Sequence, residues 1–239
     1  MKILSIGNSF SQDAQRYLYK LAKNRGEFFK TVNLFIGGCP LRTHYINCLE
    51  DKAEYSFEFN GERTGLFVSI KQALISDEWD VVTLQQASYY SAKFETYSPY
   101  AEYLYDYVKK YCPHAKIYIH QTWAYEDGSD RLKNLAGYET AKDMLNDVCA
   151  SYDKMAKLVK ADGIIPCGRA MFNAIKNGIG KIHRDTFHAS LGAGRYLLAL
   201  TWYKALTGKD ITNDEFNEFD VPVTDEEREI VIKTVNSLF

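Results

Sequence analysis

The chain has 239 residues, 29 Lys and Arg against 31 Asp and Glu, a net charge of -2 and 46% apolar residues. These proportions exclude disordered, collagenous and disulfide-scaffold classes, and the length fits one domain over 1–239, because α/β domains run well past the ~150-residue prior. Cations are interspersed with carboxylates rather than gathered in a stripe, and no apolar run approaches the ~18 residues of a membrane span, so neither nucleic acid nor a bilayer is an expected partner.

In chain order, Lys2–Ile6 reads as the first strand. The apolar run there is too short for a signal peptide, so a cytoplasmic location is expected. A helix at about Asp13–Arg25 follows, with Ala14, Leu18, Leu21 and Ala22 on one face. Further strands are expected at Thr31–Phe35, Asp80–Gln85, Lys116–Gln121 and Gly163–Pro166, and further helices at Ser69–Ile75, Tyr100–Tyr111, Tyr138–Lys160 and Ala189–Leu206. A last helix opens at the capping-box run Thr224-Asp225-Glu226-Glu227. Two segments interrupt the alternation and read as insertions: Tyr55–Gly61, whose Asn60-Gly61 suggests a hairpin, and the aromatic loop Ala87–Pro99. Strand and helix in alternation predict a five-stranded parallel sheet in a three-layer αβα sandwich, in the order 2-1-3-4-5, with ligands bound beyond the strand C-termini where the order reverses.

Five cysteines (Cys39, Cys48, Cys112, Cys149 and Cys167) are odd in number and form no C-x-x-C, which argues for reduced thiols rather than a disulfide framework or zinc knuckle. His44, His114 and His183 share no ligand spacing, so neither metal nor cofactor is expected.

The first strand leads through Gly7-Asn8-Ser9-Phe10-Ser11 into a helix. Ser9 there has two readings. It is the N-cap, since Ser9 to Gln12 has capping-box spacing; or it is a nucleophile at a helix N-terminus, where amides stabilise developing negative charge. Far along the chain, Asp185-Thr186-Phe187-His188 places a carboxylate three residues before an imidazole, which suits a base oriented toward a serine.

Together these segments resemble the SGNH (GDSL-type) hydrolases: Ile6–Ser11 is similar to their first sequence block, with Asn8 in place of its Asp, and Asp185–His188 to their last. The full string, with His120-Gln121-Thr122-Trp123-Ala124-Tyr125, is similar to a bacterial branch of that superfamily carrying paired glutamines where others have an Asn. The resemblance implies a flavodoxin-like SGNH fold and ester hydrolysis by a Ser9–His188–Asp185 triad. It implies an oxyanion hole from the amides of Ser9 and of Gly38, the preferred glycine of the Gly37-Gly38 pair. Either Gln85 or Gln86 would be the third donor; strand alternation sends them to opposite sides, with the choice leaning to Gln86.

Substrate contacts are expected from Tyr89, Tyr90, Trp123 and Tyr125 at the same rim, with Tyr97 nearby, although these rings could equally cover the loop core. His120 is either a contact or a satisfied strand-end histidine. The expected substrate is a small acyl ester, foremost an O-acetyl group on carbohydrate. An O-acyltransferase would use the same triad, and a flavodoxin-like binding module would need a phosphate loop that the opening lacks.

Overall fold

The computed structural model describes residues 1–239. Five parallel strands, β1 (Lys2–Gly7), β2 (Lys30–Phe35), β5 (Val81–Leu84), β6 (Lys116–His120) and β7 (Gly163–Ile165), lie in the order β2-β1-β5-β6-β7. That is the expected 2-1-3-4-5 arrangement. The Asn60-Gly61 hairpin is no free insertion, however. Its strands β3 (Tyr55–Phe59) and β4 (Glu62–Val68) pair antiparallel beyond β2 and extend the sheet to seven strands. Asn60 and Gly61 both have positive φ (51° and 81°), as the tight turn requires. The Asn60 side-chain oxygen accepts from Thr31 N at 2.9 Å, which ties the turn to β2.

Strand alternation divides the core into two layers. Leu4, Ile6, Val32, Leu34, Val82 and Leu84 face one way, under α3 (Leu41–Leu49), α4 (Ile70–Ile75), α5 (Tyr100–Tyr111) and α6 (Ala141–Leu158). Ile3, Val81 and Ile165 face the other, under α1 (Ser9–Gln15), α2 (Leu18–Asn24), α7 (Cys167–Lys176), α8 (Ala193–Thr207) and α9 (Asp225–Asn236). Helix α8 packs on α1, α2, α7 and α9, and every residue from Tyr196 to Tyr203 is buried, which explains its lack of a polar face. No helix is long and apolar enough to cross a membrane.

The sequence gives no clear signal for α3 or α7, and the helix expected over Asp13–Arg25 is two helices. Its break at Arg16-Tyr17 has a tertiary cause. Arg16 donates to Gly61 O at 2.9 Å and to both Asp220 oxygens at 2.8 and 2.7 Å, while the Tyr17 hydroxyl donates to Leu191 O and accepts from Asp220 N. These partners hold the chain at the bend where intrinsic propensity alone would continue the helix.

Helix α1 is also tied to the far end of the chain. The Asp13 carboxylate is fully buried and receives Arg184 Nη1 at 2.9 and 2.8 Å, Arg195 Nε at 2.9 Å and the Ala189 amide at 3.2 Å. Arg195 continues to Asp220, which Arg16 also holds. Replacing Asp13 by Ala takes the shared carboxylate from two guanidinium groups that are only 27% and 13% exposed, leaving Arg195 its bond to Asp220 and Arg184 its contact with Asp185. After allowance for their partial hydration, Asp13→Ala is expected to destabilise the fold by about 2–4 kcal/mol. Urea unfolding measures this, and a wild-type midpoint would show the cluster to be energetically idle.

Candidate active site

At the C-terminal end of β1 the backbone turns so tightly that a Cβ on Gly7 would lie 1.9 Å from Ser11 Oγ, so only glycine fits. Asn8 follows in extended conformation (φ -150°) and is the N-cap: its Oδ1 accepts from Phe10 N at 3.0 Å, while Ser11 Oγ accepts from Asn8 N at 3.0 Å. The capping assigned to Ser9 by spacing therefore belongs one residue earlier. Ser9 is the first helical residue, and its hydroxyl is not consumed by the cap.

That hydroxyl meets His188. Ser9 Oγ lies 2.9 Å from His188 Nε2, and His188 Nδ1 lies 2.7 Å from Asp185 Oδ2. The other carboxylate oxygen accepts from the His188 amide at 2.8 Å and the Phe187 amide at 3.4 Å. Because Nδ1 faces a carboxylate it carries the proton, leaving the Nε2 lone pair toward the serine O–H. Burial pushes the Asp185 carboxyl up, but the hydrogen bonds from the His188 ring and backbone outweigh it and hold the group below its ordinary value. It stays ionised as a partner for the imidazole.

The turn bearing this pair is built tightly. Thr186 takes a left-handed conformation (φ 73°), uncommon for a β-branched residue, and Arg184 N donates to His188 O at 3.0 Å across it. Trp123 Nε1 donates to Phe187 O at 2.7 Å, and the Trp123 ring stacks on Phe10 at 4.1 Å. Phe187 in turn lies 3.8 Å from the His188 ring, centroid to centroid.

The loop after β2 brings Gly38 to the same cleft, in left-handed conformation (φ 61°), with its amide making no hydrogen bond within the fold. Neither expected glutamine lines that cleft. Gln86 is fully buried: its carbonyl accepts from Leu41 N at 3.0 Å and Ala87 N at 2.9 Å, and its NH2 group donates to Thr96 O and Oγ1, each at 3.1 Å. Its expected donor role is corrected to a structural one, since both ends of the amide are spent on loop backbone. Gln85, also buried, donates to Asn8 Oδ1 at 2.6 Å and bonds His120 Nδ1 through its carbonyl. It braces the N-cap instead of facing the cleft.

The cleft itself is open, of about 440 Å³, and is lined by Ser9, Phe10, Phe35, Tyr89, Phe187 and His188 among others. Of the expected contact residues only Tyr89 reaches it. Tyr89 is 42% exposed and donates its hydroxyl proton to Gly38 O at 3.0 Å; Tyr90, 37% exposed, packs against Tyr89 outside the cleft. Trp123, Tyr125, Tyr97 and His120 are buried, so the contact expected of Trp123, Tyr125 and His120 is corrected to support. Tyr125 bonds Ser88 Oγ at 3.0 Å, and burial pushes the His120 imidazole down to about 3, keeping it neutral. Sequence reasoning missed Phe10, Phe35, Gln12, Arg131 and Arg184 at the cleft; Phe10 and Gln12 lie beside Ser9 and Arg184 directly precedes Asp185, while Phe35 and Arg131 carry no local signal.

Gln86→Ala removes the acceptor of two buried amides, each costing about 1–3 kcal/mol when left unpaired. The variant is expected to unfold at a lower denaturant concentration. An unchanged midpoint with a roughly 100- to 1000-fold loss of turnover would restore the oxyanion role instead.

The family described as Domain of unknown function (DUF4886) matches residues 2–233. A DUF4886 family protein from Bacteroides uniformis, known as a crystal structure, is 31% identical, with a TM-score of 0.91 over 99% of this chain and 93% of that one. More distant structures share the fold: a candidate SGNH hydrolase from Slackia heliotrinireducens (22% identity, TM-score 0.62, 86% of this chain and 98% of that one) and an acetylxylan esterase from Geobacillus stearothermophilus (15%, 0.54, 86% and 94%). The flavodoxin-like αβα class expected from the sequence is thereby borne out, with seven strands in place of five. No curated protein matches the sequence at a significant level. Matched over nearly its whole length, the chain belongs to the DUF4886 family.

Proposed function

We propose that the protein is a serine esterase that removes small acyl groups, foremost O-acetyl groups on carbohydrate, through an acyl-enzyme on Ser9. The observation that carries this reading is the continuous chain from Ser9 Oγ to His188 Nε2 (2.9 Å) and from His188 Nδ1 to Asp185 (2.7 Å) beside an open cleft. His188 takes the serine proton as Oγ attacks the ester carbonyl. Asp185, held ionised, stabilises the imidazolium, which then protonates the leaving alcohol. Water repeats the sequence in reverse to release the acid.

The developing oxyanion is met by the Ser9 amide, at the first turn of α1 where N–H groups have no intrahelical acceptor, and by the Gly38 amide. Likeness in fold to an acetylxylan esterase, and an open cleft lined in part by the exposed Tyr89, support a sugar-borne acetyl group.

Ser9→Ala is expected to abolish the acylation burst with aryl acetates and turnover of acetylated sugars, and a wild-type rate in that variant would sink the assignment. Asp185→Asn should retain the fold but lose about 10⁴-fold in kcat, because Nδ1 would no longer be held in the productive tautomer. Steady-state kinetics on the two variants in parallel, with longer acyl esters for comparison, measures both.

A further inference from the structure

The cleft holds a cation that the triad does not use. Two arginines line it, Arg131 and Arg184, and no carboxylate does. The Arg184 charge is spent: Asp13 receives it at 2.8 and 2.9 Å, and Asp185 lies 3.9 Å away. Arg131 forms no ion pair with any carboxylate of the chain. It opens a single π-helical segment, Arg131–Ala136, that closes at Gly137 in left-handed conformation, a local irregularity frequent at functional sites.

Its guanidinium carbon sits 3.8 Å from the Phe187 ring centroid and 5.7 Å from that of Tyr125. Phe187 is the residue before the triad histidine, and its ring lies 3.8 Å from the imidazole on the same centroid measure. One aromatic ring thus separates a fixed positive charge from the general base. Stacking on aromatic faces leaves the in-plane N–H fork of an arginine available, and that fork matches a planar carboxylate in bidentate fashion.

We propose that Arg131 is a specificity-determining residue, and that the preferred substrate is an ester carrying a carboxylate near its scissile bond, in either the acyl or the alcohol half. This rests on the esterase reading above and narrows its substrate class. A single planar monoanion is favoured because only one unpaired guanidinium lines the cleft; a phosphate dianion would lack a second cation, Arg184 being neutralised by Asp13.

The test compares kcat/KM for two matched pairs. Para-nitrophenyl hemisuccinate against para-nitrophenyl butyrate places the charge on the acyl side. A monoacetylated methyl glucuronoside against the corresponding glucoside places it on the alcohol side. The wild type is expected to prefer the charged member of one pair by about 10- to 100-fold, with the preference approaching unity in Arg131→Gln and partly kept in Arg131→Lys. In the wild type it should also shrink as salt is raised through about 0.1 M, where the screening length falls to about 10 Å. Absence of preference in both pairs, or a full preference in a folded Arg131→Gln, overturns the proposal. If Arg131→Gln does not fold, the Arg131→Lys ratio and the salt dependence decide.

Failure of the esterase reading is separately visible, as no turnover of any ester or a wild-type rate in Ser9→Ala. In that case protection against thermal unfolding by millimolar succinate or glucuronate, present in the wild type, weakened in Arg131→Lys and lost in Arg131→Gln, still judges the anion site; no protection in the wild type, or full protection in Arg131→Gln, overturns it.

Discussion

The grip of the Asp13 carboxylate on Arg184, Arg195 and the Ala189 amide is the interaction on which the site depends. Ser9 and His188 lie on segments far apart in the chain, and Asp13 is one helical turn beyond Ser9 while Arg184 and Ala189 bracket the Asp185–His188 turn. A salt bridge buried at one end and partly hydrated at the other contributes modestly to net stability, but it fixes direction: Arg184 Nη1 on both oxygens, Arg195 Nε on one and the Ala189 amide on the other leave the carboxylate little rotational freedom. Through it, the rim of one helix sets where the imidazole can stand, and a 2.9 Å Ser9–His188 contact follows.

Beneath Ser9 a second polar chain performs the same service for the backbone. Asn8 Oδ1 accepts from Phe10 N and from Gln85 Nε2, while its Nδ2 donates to Cys39 O at 3.2 Å, in the loop that carries Gly38. An Asp at this position could accept the first two bonds but not donate the third, so the amide joins the ends of β1, β2 and β5 where a carboxylate would leave the Cys39 carbonyl unpaired. Gln85 passes the network on to His120 at the end of β6, whose neutrality in the buried interior lets it share a hydrogen bond without a counter-ion. The paired glutamines are thus a structural solution tied to Asn8, one bracing the cap and the other satisfying the Leu41 and Ala87 amides.

This division explains what could be read from the sequence. The parallel strands and the turn at Asn60-Gly61 follow from local periodicity and turn chemistry, both of which act over a few residues, and the strand order from the topology common to doubly wound sheets. The meeting of Ser9, Asp185 and His188 could be expected because a serine at a strand end and a D-x-x-H turn are short patterns. The roles of Gln85, Gln86, Trp123 and Tyr125 were not, because polarity or aromaticity alone does not tell a residue that faces a ligand from one that holds the loop facing it; here all four are buried. The break at Arg16-Tyr17 depends on partners hundreds of ångströms of extended chain away, and the lack of an ion pair at Arg131 on the folded surroundings, and no local pattern carries either.

The aromatic residues divide along the same line. Trp123 supports Phe10 by stacking and Phe187 by a hydrogen bond to its carbonyl, and Phe187 packs against the imidazole from the cleft side. The electron-rich face of Phe187 and the Asp185 carboxylate both favour positive charge beside them. The guanidinium of Arg131 lies at the same 3.8 Å from the Phe187 ring. In the proposed mechanism Phe187 would therefore have two electrostatic tasks, to steady a base that becomes cationic during reaction and to hold a cation already present. An anion docked against Arg131 would offset the repulsion between those two charges at the stage when the imidazolium forms, so that in the proposed mechanism recognition of a carboxylate and proton transfer at Ser9 would meet on one ring.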